Sequence, residues 1–294
     1  MINKIKVGIL RGGTGNHHAI SVRRGGDLIS HIFENLSEKY KVVDILIDKD
    51  GNWHANGLPV VPADLVRKVD VVWNTSKQPS LSIILDNFSI PNIGSSSFLK
   101  ILESNREMLE MHMKSIGIKM PRFIIFPKDA REVFEKFSAP WIVKINNEIK
   151  LVKTFNELVE TIKDRTNVII EEFIAGKPST VHSISGFRGE DIYVLPACNA
   201  FSIADAGRPP QNFTADEKEK IIAFAKDLHK HLATEHYLKS DFVLHPKRGL
   251  FLTNIESSPD LRKESHFEQS CQYIGAEMHH ILEHILDKTL NKKI

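Results

Sequence analysis

The sequence is short of several things, and each shortage excludes something. Only two of its 294 residues are cysteine, Cys198 and Cys271. That count excludes a disulfide framework or a Cys-rich zinc site and makes a reduced, cytoplasmic protein the expectation. Charge of one sign is not in excess: 39 Lys plus Arg stand against 37 Asp plus Glu, a formal charge of +2. That balance builds no polyanion-binding field, so nucleic acid is not an expected partner. No stretch approaches about 20 uninterrupted apolar residues, so no membrane span is expected. The apolar run at 5–10 is too short for the core of a secretion signal. The 16 glycines and 13 prolines are near average, against disorder or fibres. What remains is 41% hydrophobic and 26% charged, an ordinary globular make-up with room for two or three lobes.

Apolar runs at 5–10, 40–48, 69–74 and 90–93 alternate with helical spacing at Leu28, Ile29, Ile32, Phe33 and Leu36 and again over 80–88. Asp50-Gly51 and Asn56-Gly57 mark a small hairpin over 51–61. Strands alternating with helices predict parallel pairing in a sheet covered on both faces, an open α/β region over the first 95 residues. A helix from 98 to 116 is expected next, stopped by Gly117 and Pro121. Strand 122–126, helix 128–137, strand 141–145, helix 154–163 and strand 167–173 make a compact α+β unit. Strands are expected at 179–187 and 191–198, then helix 215–233, strands 237–245 and 250–256, and a last helix over 274–290.

Several patterns bear on chemistry, each with a plain alternative. The glycines after the first strand, Gly12, Gly13 and Gly15, suit an anion cradle at a helix start, or merely a tight connection. They do not spell the dinucleotide fingerprint. His280, Glu283 and His284 share the spacing of an inverted zinc-protease motif, but only ten residues remain for a third ligand. Lys144 ends an apolar strand, where its ammonium must meet an anion or snorkel to water. Glu171 and Glu172 are adjacent, so they point to opposite faces. Asp241 lies on one strand of the last pair. Asn254 and Glu256 are two apart on the other, hence on one face. Together they offer hard oxygen ligands of the kind that hold Mg²⁺ beside nucleotide phosphates.

Taken in order, these segments resemble the ATP-grasp superfamily and, within it, the D-alanine–D-alanine ligases. The segments are Lys6–Thr14 with Ile20-Ser21, Pro91–Ser95 with Gly117–Pro121, Ala139–Lys144, Ile170–Gly176 with Thr180-Val181, and Tyr237–Phe242 with Leu252–Pro259. The resemblance implies a three-lobe α/β fold. An N-terminal open parallel sheet (1–95) precedes a central α+β lobe (96–174) and a C-terminal α+β lobe with an antiparallel sheet (175–294). It implies ATP with Mg²⁺, or Mn²⁺, and a carboxylate phosphorylated and then attacked by an amine. The partners so implied are small amino acid or carboxylate substrates, and a homodimer through the first lobe.

Residue by residue, the resemblance assigns Arg106 and Lys144 to the nucleotide phosphates. Glu171, Glu172, Phe173 and Ile174 fall to the adenine hinge, and Asp241, Asn254 and Glu256 to the metal. Lys239 takes the arginine position that steadies the transferring phosphate. Asp260 replaces a glycine whose amide helps bind the reacting carboxylate, and Ser265 takes the position that receives the acceptor's carboxylate. The departures bear on function. Ala19 occupies the place of the glutamate that holds the first substrate's ammonium. Thr75–Ser80 replaces the family's histidine and Gly-Glu-Asp-Gly segment after the third strand. The Ser/Gly-rich lid is cut to Ile145–Lys150, and the family's ribose-binding glutamate aligns with Pro178. The substrate-capping loop near 200–212 is short, and Asn254 and Glu256 appear in swapped order. Two readings follow: a divergent ligase, or a scaffold that has lost catalysis and binds a nucleotide, metabolite or partner.

Overall fold

The computed structural model describes residues 4–145, 148–196 and 213–291. The first segment runs through β1 (Ile5–Gly12), α1 (His18–Asn35), β2 (Tyr40–Ile47), the hairpin β3 (Trp53–Ala55) and β4 (Leu58–Val60), β5 (Val71–Asn74), α2 (Pro79–Asn87), β6 (Asn92–Ile93), α3 (Ser97–Ser104) and α4 (Arg106–Ser115). Its strands form one sheet in the order β4-β3-β2-β1-β5-β6. β1 pairs in parallel with β2 and β5, and β5 with β6, while the hairpin adds an antiparallel edge. Val7 and Ile9 of β1 face one core with Leu28 and Ile32 of α1; Leu10 faces another with Leu65, Leu81 and Leu85. A strand apolar on both faces is thereby buried on both, as the sequence pattern predicts.

The helix expected over 98–116 is in fact two. Asn105 is extended, at φ −125° and ψ 104°, and its side-chain oxygen accepts the Met108 amide at 3.0 Å. An asparagine that can cap the next turn competes with helix continuation, and here it wins.

The second segment holds β7 (Phe123–Ile125), α5 (Ala130–Lys136), β8 (Trp141–Ile145), β9 (Glu148–Val152), α6 (Phe155–Ile162) and β10 (Val168–Glu172). Its sheet has the order β7-β10-β8-β9 and is antiparallel throughout. Ile145 of β8 pairs with Glu148 of β9, so the described ends of the shortened lid segment lie on paired antiparallel strands. Asp129 and Thr154 cap α5 and α6 with their side-chain oxygens.

The third segment holds β11 (Lys177–Ser185), β12 (Ile192–Val194), α7 (Ala215–His231), β13 (Tyr237–His245), β14 (Gly249–Glu256), α8 (His266–Tyr273) and α9 (Met278–Asn291). The strands lie in the order β12-β11-β13-β14. The expected last helix over 274–290 starts later, and α8 before it was not anticipated. Gly275, at φ +68°, separates the two, a conformation that only glycine adopts readily. Met278, Ile281, Leu282, Ile285 and Leu286 are all buried on one stripe of α9. Each contributes about 1.5–3 kcal/mol by leaving water. The capping loop near 200–212 lies outside the described residues.

The chain divides into two compact units. One comprises Met1–Leu109, Ser179–Asp241 and Asn254–Ile294; the other comprises Glu110–Pro178 and Phe242–Thr253. No helix among the described residues is long and apolar enough to cross a membrane.

Candidate active site

In the first unit, β13 and β14 are neighbours, and this brings Lys239, Asp241, Asn254 and Glu256 together. The Lys239 ammonium lies 3.3 Å from Asp241 Oδ2 and 3.6 Å from Glu256 Oε2. Asp241 also accepts from Thr180 Oγ1 at 2.7 Å and Asn254 Nδ2 at 3.2 Å. The other Glu256 oxygen accepts from Arg24 of α1 at 2.7 Å, with Lys77 Nζ at 3.9 Å. Burial works to raise the Glu256 pKa, but the Lys239 and Arg24 charges outweigh it and hold the carboxyl below its usual range. Burial likewise opposes the charge on Lys239, while Asp241 and Glu256 hold it above its ordinary value.

Asp241 and Glu256 present carboxylate oxygens, the donor type a small divalent cation takes, while the Asn254 amide turns its Nδ2 toward Asp241. Among the described residues no group of three or more His, Cys, Asp or Glu is placed to hold a metal ion. Two carboxylates and one amide suffice only if phosphates or water complete the shell.

Asp260 is turned to Arg262, whose Nε and Nη2 donate at 2.8 and 2.5 Å. Ser265 caps α8 by accepting the Glu268 amide at 3.1 Å, and its hydroxyl donates to the Asp260 carbonyl at 2.8 Å. The proposed acceptor serine thus carries a helix-start role as well. Arg106 opens α4 and is half-buried. The glycine-rich turn after β1 is internally satisfied at two of its amides. Gly12 N donates to Ser21 Oγ at 2.9 Å and Gly13 N to the Ile47 carbonyl at 2.9 Å. The inverted zinc motif does not gather: His284 Nε2 is 2.9 Å from the Ser185 carbonyl, His280 Nδ1 accepts the Glu277 amide, and Glu283 pairs with Lys39.

The first unit also holds a cavity of about 200 Å³ whose wall includes Ser82, Ser95, Ser96, Thr234 and Ser257. The ammonium of Lys100, 3% exposed, donates to Ser82 Oγ at 3.0 Å. Burial pushes this lysine down to about 8.

In the second unit, the β8–β10 register sets Lys144 opposite Ile169 and brings its ammonium within 2.8 Å of Glu171 Oε1. Glu172 faces away and is gripped by Arg122 at 2.9 Å and Arg248 at 2.6 Å. Burial raises this carboxyl's pKa, but the two guanidiniums more than compensate and keep it low. Ile174 packs with Val243 and Phe251, and the Phe173 amide donates to the Pro140 carbonyl at 3.3 Å. Sequence reasoning missed Arg24, Lys77, Arg122 and Arg248. Arg24 lies on α1, Lys77 and Arg248 lie in loops, and Arg122, expected at the start of a strand, lies just before β7; no local spacing ties any of them to its carboxylate.

No family model matches the chain. D-alanine–D-alanine ligase B of Clostridium perfringens is 25% identical over 317 residues, covering 99% of this chain and all of the relative. The structure of D-alanyl-alanine synthetase A from Vibrio cholerae superposes with a TM-score of 0.78 at 16% identity, over 99% of this chain and 100% of the other. The Bacillus anthracis D-alanine–D-alanine ligase solved with ATP does so with a TM-score of 0.72 at 19% identity, over 98% and 97%. The fold is that of the ATP-grasp ligases. Within that class the chain resembles the D-alanine–D-alanine ligases from end to end, as a divergent relative.

Proposed function

We propose that the chain is an ATP-dependent ligase that joins a carboxylate to an amine through an acyl phosphate. The observation that carries this is the Lys239–Asp241–Asn254–Glu256 cluster: two carboxylates and an amide on neighbouring strands with a cation lodged between the carboxylates. Asp241, Glu256 and the Asn254 amide oxygen would hold Mg²⁺ or Mn²⁺. A bound ion would neutralise phosphate charge as the γ-phosphoryl group moves. Lys239 would stand against the charge that develops at the acyl phosphate. From the second unit the reading assigns Lys144 to the phosphates and Glu171 to Ile174 to the adenine; from the first it assigns Arg106 to the phosphates. Asp260 and Ser265 border the acyl donor and the acceptor. The three-lobe division at 1–95, 96–174 and 175–294 and a homodimer through the first lobe belong to the same reading.

The support from relatives is their names: the Clostridium relative, named D-alanine–D-alanine ligase B, aligns with this chain over its whole length. Calorimetric titration of the full chain with Mg-ATP, followed by phosphate release over a panel of acids with amines, tests the proposal. Binding, and release that needs both an acid and an amine, is the expected result. No binding at millimolar nucleotide overturns the reading. Binding without release from any pair replaces it with a nucleotide-binding protein that does not catalyse.

A further inference from the structure

Lys239 and Asp241 stand two apart on β13, and Asn254 and Glu256 two apart on β14, so each pair leaves one face of its strand. The strands are neighbours, and the contacts between the pairs put all four side chains on a common face. There the Lys239 ammonium meets one oxygen of each carboxylate, Asp241 Oδ2 at 3.3 Å and Glu256 Oε2 at 3.6 Å. The other two oxygens are held from elsewhere. Asp241 Oδ1 accepts from Thr180 Oγ1 at 2.7 Å, and Glu256 Oε1 accepts from Arg24 Nη2 at 2.7 Å. Thr180 and Arg24 thereby turn Oδ2 and Oε2 toward the lysine.

Two carboxylates that share one site repel each other unless a positive charge stands with them. Lys239 supplies that charge from the same strand as Asp241. A magnesium ion held by the same two oxygens needs each of them at about 2.0–2.1 Å, demands near-octahedral geometry and gives up its waters reluctantly. An ammonium within 3.6 Å of both oxygens stands in the space such an ion and its remaining waters require. The two cations therefore compete for one pair of oxygens.

Resting on the ligase reading, we infer that Lys239 is a resident counter-ion that keeps free divalent metal out of the Asp241–Glu256 pair and gives way only when nucleotide phosphates offer its ammonium another anion. The phosphate oxygens also complete a coordination shell that two carboxylates cannot fill by themselves. The site so built takes the metal–nucleotide complex in preference to the bare ion. Once displaced, the same ammonium is free to face charge on the phosphoryl group.

Titration of the full chain with Mn²⁺, after removal of divalent ions and without nucleotide, tests this; the unbound ion is read by its paramagnetic resonance signal. Lys239→Met binds Mn²⁺ at least about tenfold more tightly than the parent, while its affinity for Mn-ATP falls. Lys239→Gln moves both affinities in the same directions and guards against misfolding of the first variant. Lys77→Met removes an equal charge 3.9 Å from Glu256 Oε1, away from the shared oxygens, and gains a smaller factor. Mn²⁺ raises the unfolding temperature of Lys239→Met more than that of the parent. Mn²⁺ binding unchanged or weaker in both Lys239 variants overturns the inference. So does an equal gain in Lys77→Met, which would assign the effect to net charge, or Mn-ATP affinity that rises in step with that of Mn²⁺. Its failure is separable from failure of the ligase reading: a parent that releases phosphate with an acid and an amine, but whose Lys239 variants gain no Mn²⁺ affinity, keeps the ligase reading and loses this one.

Discussion

The Lys144 ammonium lies 2.8 Å from the Glu171 carboxylate, although 27 positions separate them in the chain. Glu171 is 3% exposed, so this lysine is a counter-ion for a carboxylate taken out of water. Removing one partner of such a pair leaves an uncompensated charge, whereas removing both does not. Lys144→Ala therefore lowers stability by about 1–3 kcal/mol, less than for a fully buried pair because the lysine is partly exposed. Lys144→Met combined with Glu171→Gln recovers most of that loss in denaturant unfolding. On the proposed ligase reading Lys144→Ala also loses ATP binding, and calorimetry finds it still lost in the double variant. Recovery of binding together with stability would show that Lys144 serves only the fold.

Glu172 is held between Arg122 and Arg248, and its carboxyl is kept below the ordinary value of 4.5. A carboxyl lowered by folding adds stability above its unfolded value and loses it as pH falls through its folded one. Glu172→Gln is thus less stable than the parent at pH 7, by about 1–2 kcal/mol given how exposed both arginines are. The gap closes as the pH falls below 4.5. Thermal unfolding of both proteins across pH 3 to 7, numbers chosen to bracket the glutamate range, reads it out. A gap independent of pH would contradict the ion-pair account.

Gly12 has φ +89°, and a Cβ built on it would fall against the Ile47 carbonyl oxygen, which also receives the Gly13 amide. Neither backbone can yield without breaking the β1–β2 register. Gly12→Ala is expected to cost about 3 kcal/mol or more, through strain and displaced hydrogen bonds. Gly26, on α1, has open space around it, so Gly26→Ala stabilises by about 0.5–1 kcal/mol. Chemical denaturation of the pair checks both signs.

Lys100 is 3% exposed, and burial lowers it from 10.5 to about 8. A lysine lowered by folding weighs against the fold wherever it must be charged, fully below its folded value. That penalty fades as pH rises from 8 toward 10.5, where the folded state gives up its proton first. Lys100→Met therefore gains on the order of 2 kcal/mol at pH 7, after loss of the Ser82 hydrogen bond, and the gain shrinks above pH 8. A gain that does not shrink between pH 8 and 10.5 would assign the effect to packing instead.

Much of the architecture is legible in local pattern. β1 is apolar on both faces, and that alone puts it inside a sheet. The hairpin is announced by Asn56-Gly57, and α9 by its apolar stripe. These follow from side-chain period and turn chemistry, which act within a few residues. The oxygen-bearing trio Asp241, Asn254 and Glu256 was readable too, because a two-residue spacing on one strand fixes a shared face. The misses have a different character. Asn105 broke a helix whose apolar spacing continued past it, and α8 hid in a polar stretch with a single buried face.

The sequence by itself determined the order of the elements, the faces they bury and the carboxylates that could meet a cation, because period, capping and adjacency are short-range. Only the tertiary structure decided which cations meet those carboxylates. Arg24 reaches Glu256 across 232 positions, Lys77 approaches the same group from another loop, and Arg248 closes on Glu172 from 76 residues away. Such pairings depend on where the folded backbone sets each side chain, and Coulomb attraction acts on distance in space, not on separation along the chain.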